Sequence, residues 1–287
     1  MKKKEFYEYA QAYDLNWDVV EKILCKILQC DKEALFLKDE IPASHLYEFQ
    51  KYLYEFQKWI PEAYIFWEKE FYGRFFYVHE STLIPRRETE LLVDVLRKKC
   101  LDNADMNTSS YIDVGTWTGC IWISMILELL PLQFKHIYCI DINDSILQLT
   151  QKNIERYHIS TNIQLIISSV FDVFFQQKFD MQENVYISAN LPYIKKWDHN
   201  TSNHVVKNEP ETALYWWEET WFELYKKLLS QCFLLKKVYW VKQIHLCIEI
   251  WYDQYEYSKN FLEEMWLQFE YFTDIHNIKR VIYITGF

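Results

Sequence analysis

From Tyr111 to Phe287, short β-branched and aromatic runs alternate with helix-length segments, and no other feature of the chain restricts its fold as strongly. "YIDVG", "HIYCIDIN", "IQLIISS", "NVYISANLPYI", "QIHLCIEI" and "RVIYITGF" read as strands. Between them, "GCIWISMILELL", "DSILQLTQKNIERYHI", "TWFELYKKLLSQCFLL" and "YSKNFLEEMWLQF" read as helices. Such alternation implies an α/β architecture, a parallel sheet with helices on both faces. Ligands of these sheets bind beyond the carboxyl ends of the strands. Chemistry is therefore expected in the residues that follow each strand.

The chain before Tyr111 reads differently. Residues 1–57 are helical: "DVVEKILCKIL" sets Val19, Ile23, Ile27 and Val20, Leu24, Leu28 on adjoining faces. "SHLYEFQKYLYEFQKW" repeats Leu46, Phe49, Leu53 and Phe56 behind Ser44, an expected N-cap. Over 58–85, "AYIFW", "EFYGRFFYV" and "STLIP" suggest a hairpin linking two domains, with Gly73 at its turn. "PRRETELLVDVLRKKC" then opens the second domain, 86–287, with a helix. Thr89 or the acidic Glu88 and Glu90 fall in its first turn, where the helix dipole favours negative charge.

Composition excludes several classes of function. The basic start of the chain is followed by no apolar stretch, so no signal peptide is expected. No apolar run approaches the roughly 18 residues of a membrane span, so no membrane partner is expected either. The seven cysteines are scattered without a C-x-x-C pair, which suits reduced thiols in a cytoplasmic protein. The histidines form no H-E-x-x-H, and no metal is expected. A net charge of −10 argues against nucleic acid as the main ligand.

The strand ends carry the candidate site. After the first strand, "DVGTWTGC" makes a glycine-bearing turn into a helix, Gly115-Thr116-Trp117-Thr118-Gly119. Such a turn lets backbone N–H groups approach a ligand, and Asp113 can accept from a cationic amine. It lacks the G-x-G-x-x-G of a plain dinucleotide site. Asp141, ending "CIDIN", lies 26 residues beyond Gly115, close to the roughly 20 expected of an acid that binds ribose hydroxyls. Together these features favour an adenosine ligand, with Ser169 and Val170 bordering the adenine after the third strand. The fourth strand ends in Asn190-Leu191-Pro192-Tyr193. The Asn190 side-chain carbonyl and the Leu191 main-chain carbonyl are two acceptors, and Tyr193 is a flat wall. That set suits a planar NH2 group, a poor nucleophile because its lone pair is delocalised. Acceptors on both N–H bonds aim the lone pair at an electrophile and stabilise the charge that develops.

With these motifs the chain resembles the glutamine methyltransferases of peptide chain release factors. The resemblance is carried by "EAYIFWEKEFYG", "LIPRRETELLVD", "DVGTWTGCI", "ANLPYI", "NEPETALYWW" and "IEIWYDQ", in order. It implies a Rossmann-like class I methyltransferase with a mostly parallel seven-stranded sheet, a small N-terminal helical domain that helps hold the release factor, and S-adenosylmethionine as cofactor. It also implies methylation of the glutamine in a Gly-Gly-Gln loop by a cytoplasmic monomer. Asn190, Leu191, Pro192 and Tyr193 stand at the family's catalytic Asn-Pro-Pro-Tyr. Asn-Leu-Pro-Tyr is also the spelling of ribosomal RNA adenine dimethyltransferases, so an adenine methyltransferase acting on RNA or DNA is the second reading. A third is a catalytically dead adaptor of the same fold.

The family turn is Asp-x-Gly-x-Gly-x-Gly, and Trp117 stands at its middle glycine, where an indole would intrude on the ligand. Trp59, Trp67, Trp216, Trp217, Trp221 and Trp251 also replace family glycines, and Trp240 and Trp266 sit at plausible turn glycines. The chain has 4 glycines and 12 tryptophans, where about 7% glycine, roughly 20 residues, is usual. The pattern is that of UGA codons meaning glycine but translated as tryptophan.

Overall fold

The computed structural model describes residues 1–58, 60–102, 106–192 and 222–287. The described residues fall into two compact units, Met1–Trp67 and the residues from Glu68 onward.

The first unit is helical: α1 (Lys3–Gln11), α2 (Trp17–Leu28), α3 (Lys32–Phe36), α4 (Leu46–Gln57) and α5 (Glu62–Phe66). Asn16 caps α2, its side-chain oxygen accepting from Val19 N at 2.9 Å. Phe6, Ile23, Leu24, Phe49 and Leu53 form the centre of the core. Two local expectations are corrected here. Ser44 does not cap α4, because a 3-10 turn over Ala43–His45 runs straight into it. "AYIF" is not a strand: Pro61 starts α5 there, all four residues are buried, and Trp67 ends the helix at φ 58°.

The second unit opens with the hairpin β1 (Glu68–Phe71) and β2 (Arg74–Tyr77). Tyr72 and Gly73 both have positive φ, the conformation of a tight two-residue turn matched to strand twist. Helix α6 (Glu90–Asp102) follows a 3-10 turn at Arg87–Thr89. Then come β3 (Ser109–Val114), α7 (Cys120–Leu129), β4 (His136–Asp141), α8 (Asp144–Arg156), β5 (Ile163–Ile167), α9 (Asp172–Gln176) and β6 (Asn184–Ala189). After the undescribed stretch lie α10 (Glu223–Tyr239), β7 (Gln243–Glu249), α11 (Tyr255–Glu264), β8 (Gln268–Thr273) and β9 (Lys279–Thr285).

Seven strands make one sheet in the order β5-β4-β3-β6-β7-β9-β8. The first five are parallel, and β9 runs antiparallel to both β7 and β8. Strands β3 and β4 are buried throughout, as a sheet covered on both faces requires. Period-2 alternation divides the two cores: Ile112, Val114, Ile140 and Ile187 face one, Tyr111, Cys139 and Tyr186 the other. β8 is an addition to the strands read from the sequence. The helix expected to run to Phe269 stops at Glu264, and Trp266 reverses the chain at φ 57°.

The strand order reverses between β3 and β6. The chain steps from β3 outward through β4 to β5, then returns to β6 on the other side of β3. Val114 pairs with Ala189, so the turn at Gly115 and the side chain of Asn190 leave the sheet side by side. Such a switch point is where open α/β sheets bind ligands.

Candidate active site

Gly115, Trp117 and Gly119 alternate at φ 69°, 51° and 77°. Gly119 is the N-cap of α7, and a Cβ there would meet Thr150 Cγ2 and Trp122 Nε1 at 3.0 Å. Only glycine fits that place. The structure narrows the expectation that the turn offers free amides. Gly115 N and Thr116 N donate to the Ile140 carbonyl at 2.9 and 3.0 Å, and Gly119 N donates to the Thr116 carbonyl at 2.7 Å. Trp117 N points at Asp141 Oδ2, 3.4 Å away. The turn is tied to the end of β4 and positions side chains.

Asp113 is fully buried near the end of β3. Its Oδ1 accepts from the Ser188 hydroxyl, which in turn accepts from Tyr111 Oη at 2.5 Å. Burial pushes the Asp113 carboxyl up to about 7, against the opposing pull of Ser188. Asp141, the last residue of β4, accepts from Asn143 N at 3.1 Å. Burial raises it to about 6, and the backbone donors partly hold it down. Both carboxylates stand where a cation or hydroxyl donors would stabilise the charged form.

After β5, Ser168 N donates to the Asp141 carbonyl at 2.9 Å, which brings Ser169 and Val170 beside the end of β4. Ser169 Oγ accepts from Lys227 Nζ at 3.2 Å. Val170 is buried at φ 54° and packs into the core.

Asn190 follows β6 and is only 4% exposed. Its amide nitrogen donates to Glu249 Oε2 at 3.0 Å and to Thr89 Oγ1 at 3.2 Å. Its Oδ1 has no hydrogen-bond partner among the described residues. Leu191 N donates to Tyr225 Oη at 3.2 Å, and that hydroxyl donates to the Glu249 main-chain carbonyl. Leu191 is buried and Pro192 half-buried. The expectations placed on Tyr193, on "EPETAL", and on Trp59, Trp216, Trp217 and Trp221 lie outside the described residues. Glu249, Thr89 and Tyr225 were not singled out from the sequence as site residues. Glu249 was open to the strand-end rule that picked Asp113 and Asp141, since it ends β7.

Trp117 lines the same cleft as Thr89, Thr116, Thr118 and Asn190. Its indole is 8% exposed, packs on Ile146 and Leu83, and donates from Nε1 to the Asn190 main-chain carbonyl at 3.0 Å.

A release factor glutamine methyltransferase of Aquifex aeolicus is 26% identical over 98% of this chain and 95% of its own length. The chain is thus similar along its whole length to a release factor glutamine methyltransferase. A bifunctional methyltransferase of Rickettsia prowazekii is 32% identical over 62% of the chain, which spans only 36% of that longer protein. Residues 111–247 match the family described as RNA cap guanine-N2 methyltransferase. The fold is also that of the hMettl16 catalytic domain solved with a MAT2A 3′UTR hairpin, at TM-score 0.51 and 14% identity, covering 72% of this chain and 74% of that one. The two relatives and the family model have methyltransferase in common, and the cofactor of that class is S-adenosylmethionine.

The side-chain acceptors of the site fit that cofactor. Asp113 Oδ2 and Asn190 Oδ1 are buried oxygens without hydrogen-bond partners among the described residues, and buried polar atoms are normally satisfied. Asp113 suits an ammonium group and Asp141 suits ribose hydroxyls. The Trp117 indole does not fit, because it occupies the cleft and donates to the Asn190 main-chain carbonyl.

Proposed function

We propose that this methyltransferase acts on the side-chain amide nitrogen of a glutamine, the one in the Gly-Gly-Gln loop of a peptide chain release factor. One observation carries the reading: Asn190 presents a buried Oδ1, without a hydrogen-bond partner among the described residues, at the switch point while both hydrogens of its own amide are engaged behind it. That oxygen is a fixed acceptor for a substrate N–H. The Leu191 carbonyl is the second acceptor, and Tyr225 Oη accepts from the main-chain nitrogen of the same residue.

S-adenosylmethionine, when bound, would supply an electrophilic methyl carbon whose bond to the sulfonium sulfur breaks as the bond to nitrogen forms, the neutral thioether S-adenosylhomocysteine being the leaving group and the displaced amide proton going to solvent. The protein's share is orientation and charge. Two acceptors gripping an amide fix the direction of its nitrogen, and orientation of this kind can supply about 7–11 kcal/mol in favourable cases. As the nitrogen gains positive character its N–H bonds become stronger donors, so the acceptors hold the transition state more tightly than the ground state. No strong general base is needed, because the proton becomes acidic only as the new bond forms.

Residues 1–57 contribute to docking the release factor in this reading, which rests on the Aquifex relative's match along the whole chain. The enzyme works as a cytoplasmic monomer. The second reading, methylation of an adenine in nucleic acid, draws on the Asn-Leu-Pro-Tyr spelling and on the family match over 111–247. The net charge of −10 weighs against it. Labelled methyl transfer offered to a release factor and to ribosomal RNA side by side separates the readings. Label on the protein is expected. Label on RNA alone would establish the second reading, and cofactor binding with neither substrate labelled would leave the adaptor.

A further inference from the structure

Resting on that reading, we infer that Glu249 is a positioning residue for methyl transfer, its carboxylate dictating which end of the Asn190 amide faces the substrate. The two ends of an amide are nearly the same size, and a rotation about the last bond exchanges them. Facing oxygen, Asn190 accepts from the substrate amide. Facing nitrogen, it sets donor against donor and the site fails. Glu249 Oε2 accepts from the Asn190 amide nitrogen at 3.0 Å, so the group turned toward Glu249 is the NH2. Glu249 is 1% exposed, and the pairing of Ala189 with Ile248 sets the next residues, Asn190 and Glu249, level with each other. Thr89 Oγ1 takes the second hydrogen at 3.2 Å. The Glu249 main chain is also tied, through Tyr225, to the main-chain nitrogen of Leu191. One residue thereby anchors the Asn190 side chain and the peptide between Asn190 and Leu191, from behind and without touching substrate.

The test uses the full-length Trp117→Gly chain as parent, with labelled transfer to a release factor and calorimetry of S-adenosylmethionine. Glu249→Ala should lower kcat about ten- to hundredfold and leave cofactor affinity unchanged. Glu249→Gln keeps an acceptor oxygen and should recover most of that loss without shifting the pH profile. In the Asn190→Ala background, Glu249→Ala should cause no further loss, since its effect passes through Asn190. A further loss there, or a Glu249→Gln variant as slow as Glu249→Ala, would show that Glu249 acts directly and overturn the inference. So would an active parent indifferent to Glu249→Ala. A parent that binds cofactor but transfers nothing would sink the functional reading and this inference with it.

The backbone carries a second inference independently. Positive φ is uncommon outside glycine and is a true outlier for a bulky residue. Seven tryptophans lie among the described residues, and four of them, Trp67, Trp117, Trp240 and Trp266, have φ of 51–58°. Trp17 and Trp122 lie in ordinary helix, and Trp251, also at an expected glycine position, does not have positive φ. Trp240 and Trp266 are 83% and 91% exposed, so packing does not select an indole there. Both stand just past a helix end. The next residue's N–H bonds back into the helix, Val241 to the Lys236 carbonyl and Leu267 to the Leu262 carbonyl. That is the helix stop whose left-handed position glycine normally fills. We propose that the cell producing this protein places glycine at 67, 117, 240 and 266, reading UGA. Sequencing the gene and fragment masses of the protein from its own cells should show UGA codons and glycine at all four positions. A UGG codon at 117, or a tryptophan mass there, would overturn the proposal.

Discussion

Replacing Asn190 with alanine removes the acceptor on which the proposed chemistry depends, and the structure bounds the effect. Asn190 is nearly fully buried and its amide nitrogen is anchored at 3.0 and 3.2 Å, which fixes the direction of its Oδ1. A hydrogen bond to a group acquiring charge contributes about 1.5–3 kcal/mol. Loss of one preorganised partner of developing charge typically costs about 2.7–4 kcal/mol of barrier. Taking about 3 kcal/mol, kcat should fall by a factor of roughly 150. Cofactor binding should weaken little, because Asp113 and Asp141 are untouched. The substitution also takes a donor from the buried Glu249, at a stability cost of about 1–3 kcal/mol, so the midpoint of thermal unfolding should drop by several degrees. Steady-state transfer to a release factor at saturating cofactor, in the Trp117→Gly chain, measures the effect. A kcat within about threefold of the parent would refute the reasoning, since an interaction made in the transition state cannot be removed so cheaply.

Other consequences follow from the same geometry. Trp117→Gly should turn weak or absent binding of S-adenosylmethionine into clear binding by calorimetry, and Asp141→Ala in that background should weaken it; unchanged affinity would refute the ribose assignment. Asp113 and Asp141 titrate near 7 and 6 in the folded protein, above the unfolded value of about 3.9. A cationic ligand needs Asp113 ionised, so its affinity should rise from pH 5 to pH 8, with protons released on binding. Without ligand the sign for stability is opposite. The folded state binds more protons than the unfolded one between about 4 and 7, so these two groups make folding less favourable as pH rises through that window; denaturant midpoints against pH, compared with those of an Asp113→Asn variant, check this. Leu191→Pro keeps the carbonyl and should leave kcat nearly unchanged. It removes the donor to Tyr225, so stability should fall by about 0.5–1.5 kcal/mol in a denaturant titration.

The sheet was legible because β3 and β4 are buried on both faces, and only continuous β-branched and aromatic runs suit such strands. The strand-end rule then reached Asp113, Asp141 and Asn190, which the structure brings to one switch point. The misreadings have local physical causes. "AYIF" has the composition of a strand, yet the helix there is set by Pro61 before it and by the left-handed turn at Trp67. The boundary between α11 and β8 was hidden in the same way, because a tryptophan occupies the left-handed position at 266 where glycine would have marked a helix end. Glu249 went unnoticed although it ends a strand. Its role depends on a partner 59 residues away, and no spacing rule reports which of two amide ends a carboxylate will face. Thr89 was read as a helix-start residue, which its position at the end of the 3-10 turn supports. Its contact with Asn190 spans 101 residues and is a product of the fold alone.

The most direct test of the central claim is to locate the transferred methyl group. A release factor incubated with the Trp117→Gly chain and labelled S-adenosylmethionine should carry one label, and fragmentation should place it on the side-chain nitrogen of the glutamine in the Gly-Gly-Gln loop. A release factor with that glutamine changed to alanine should remain unlabelled. Label on any other residue, or on ribosomal RNA with none on that glutamine, would contradict the account.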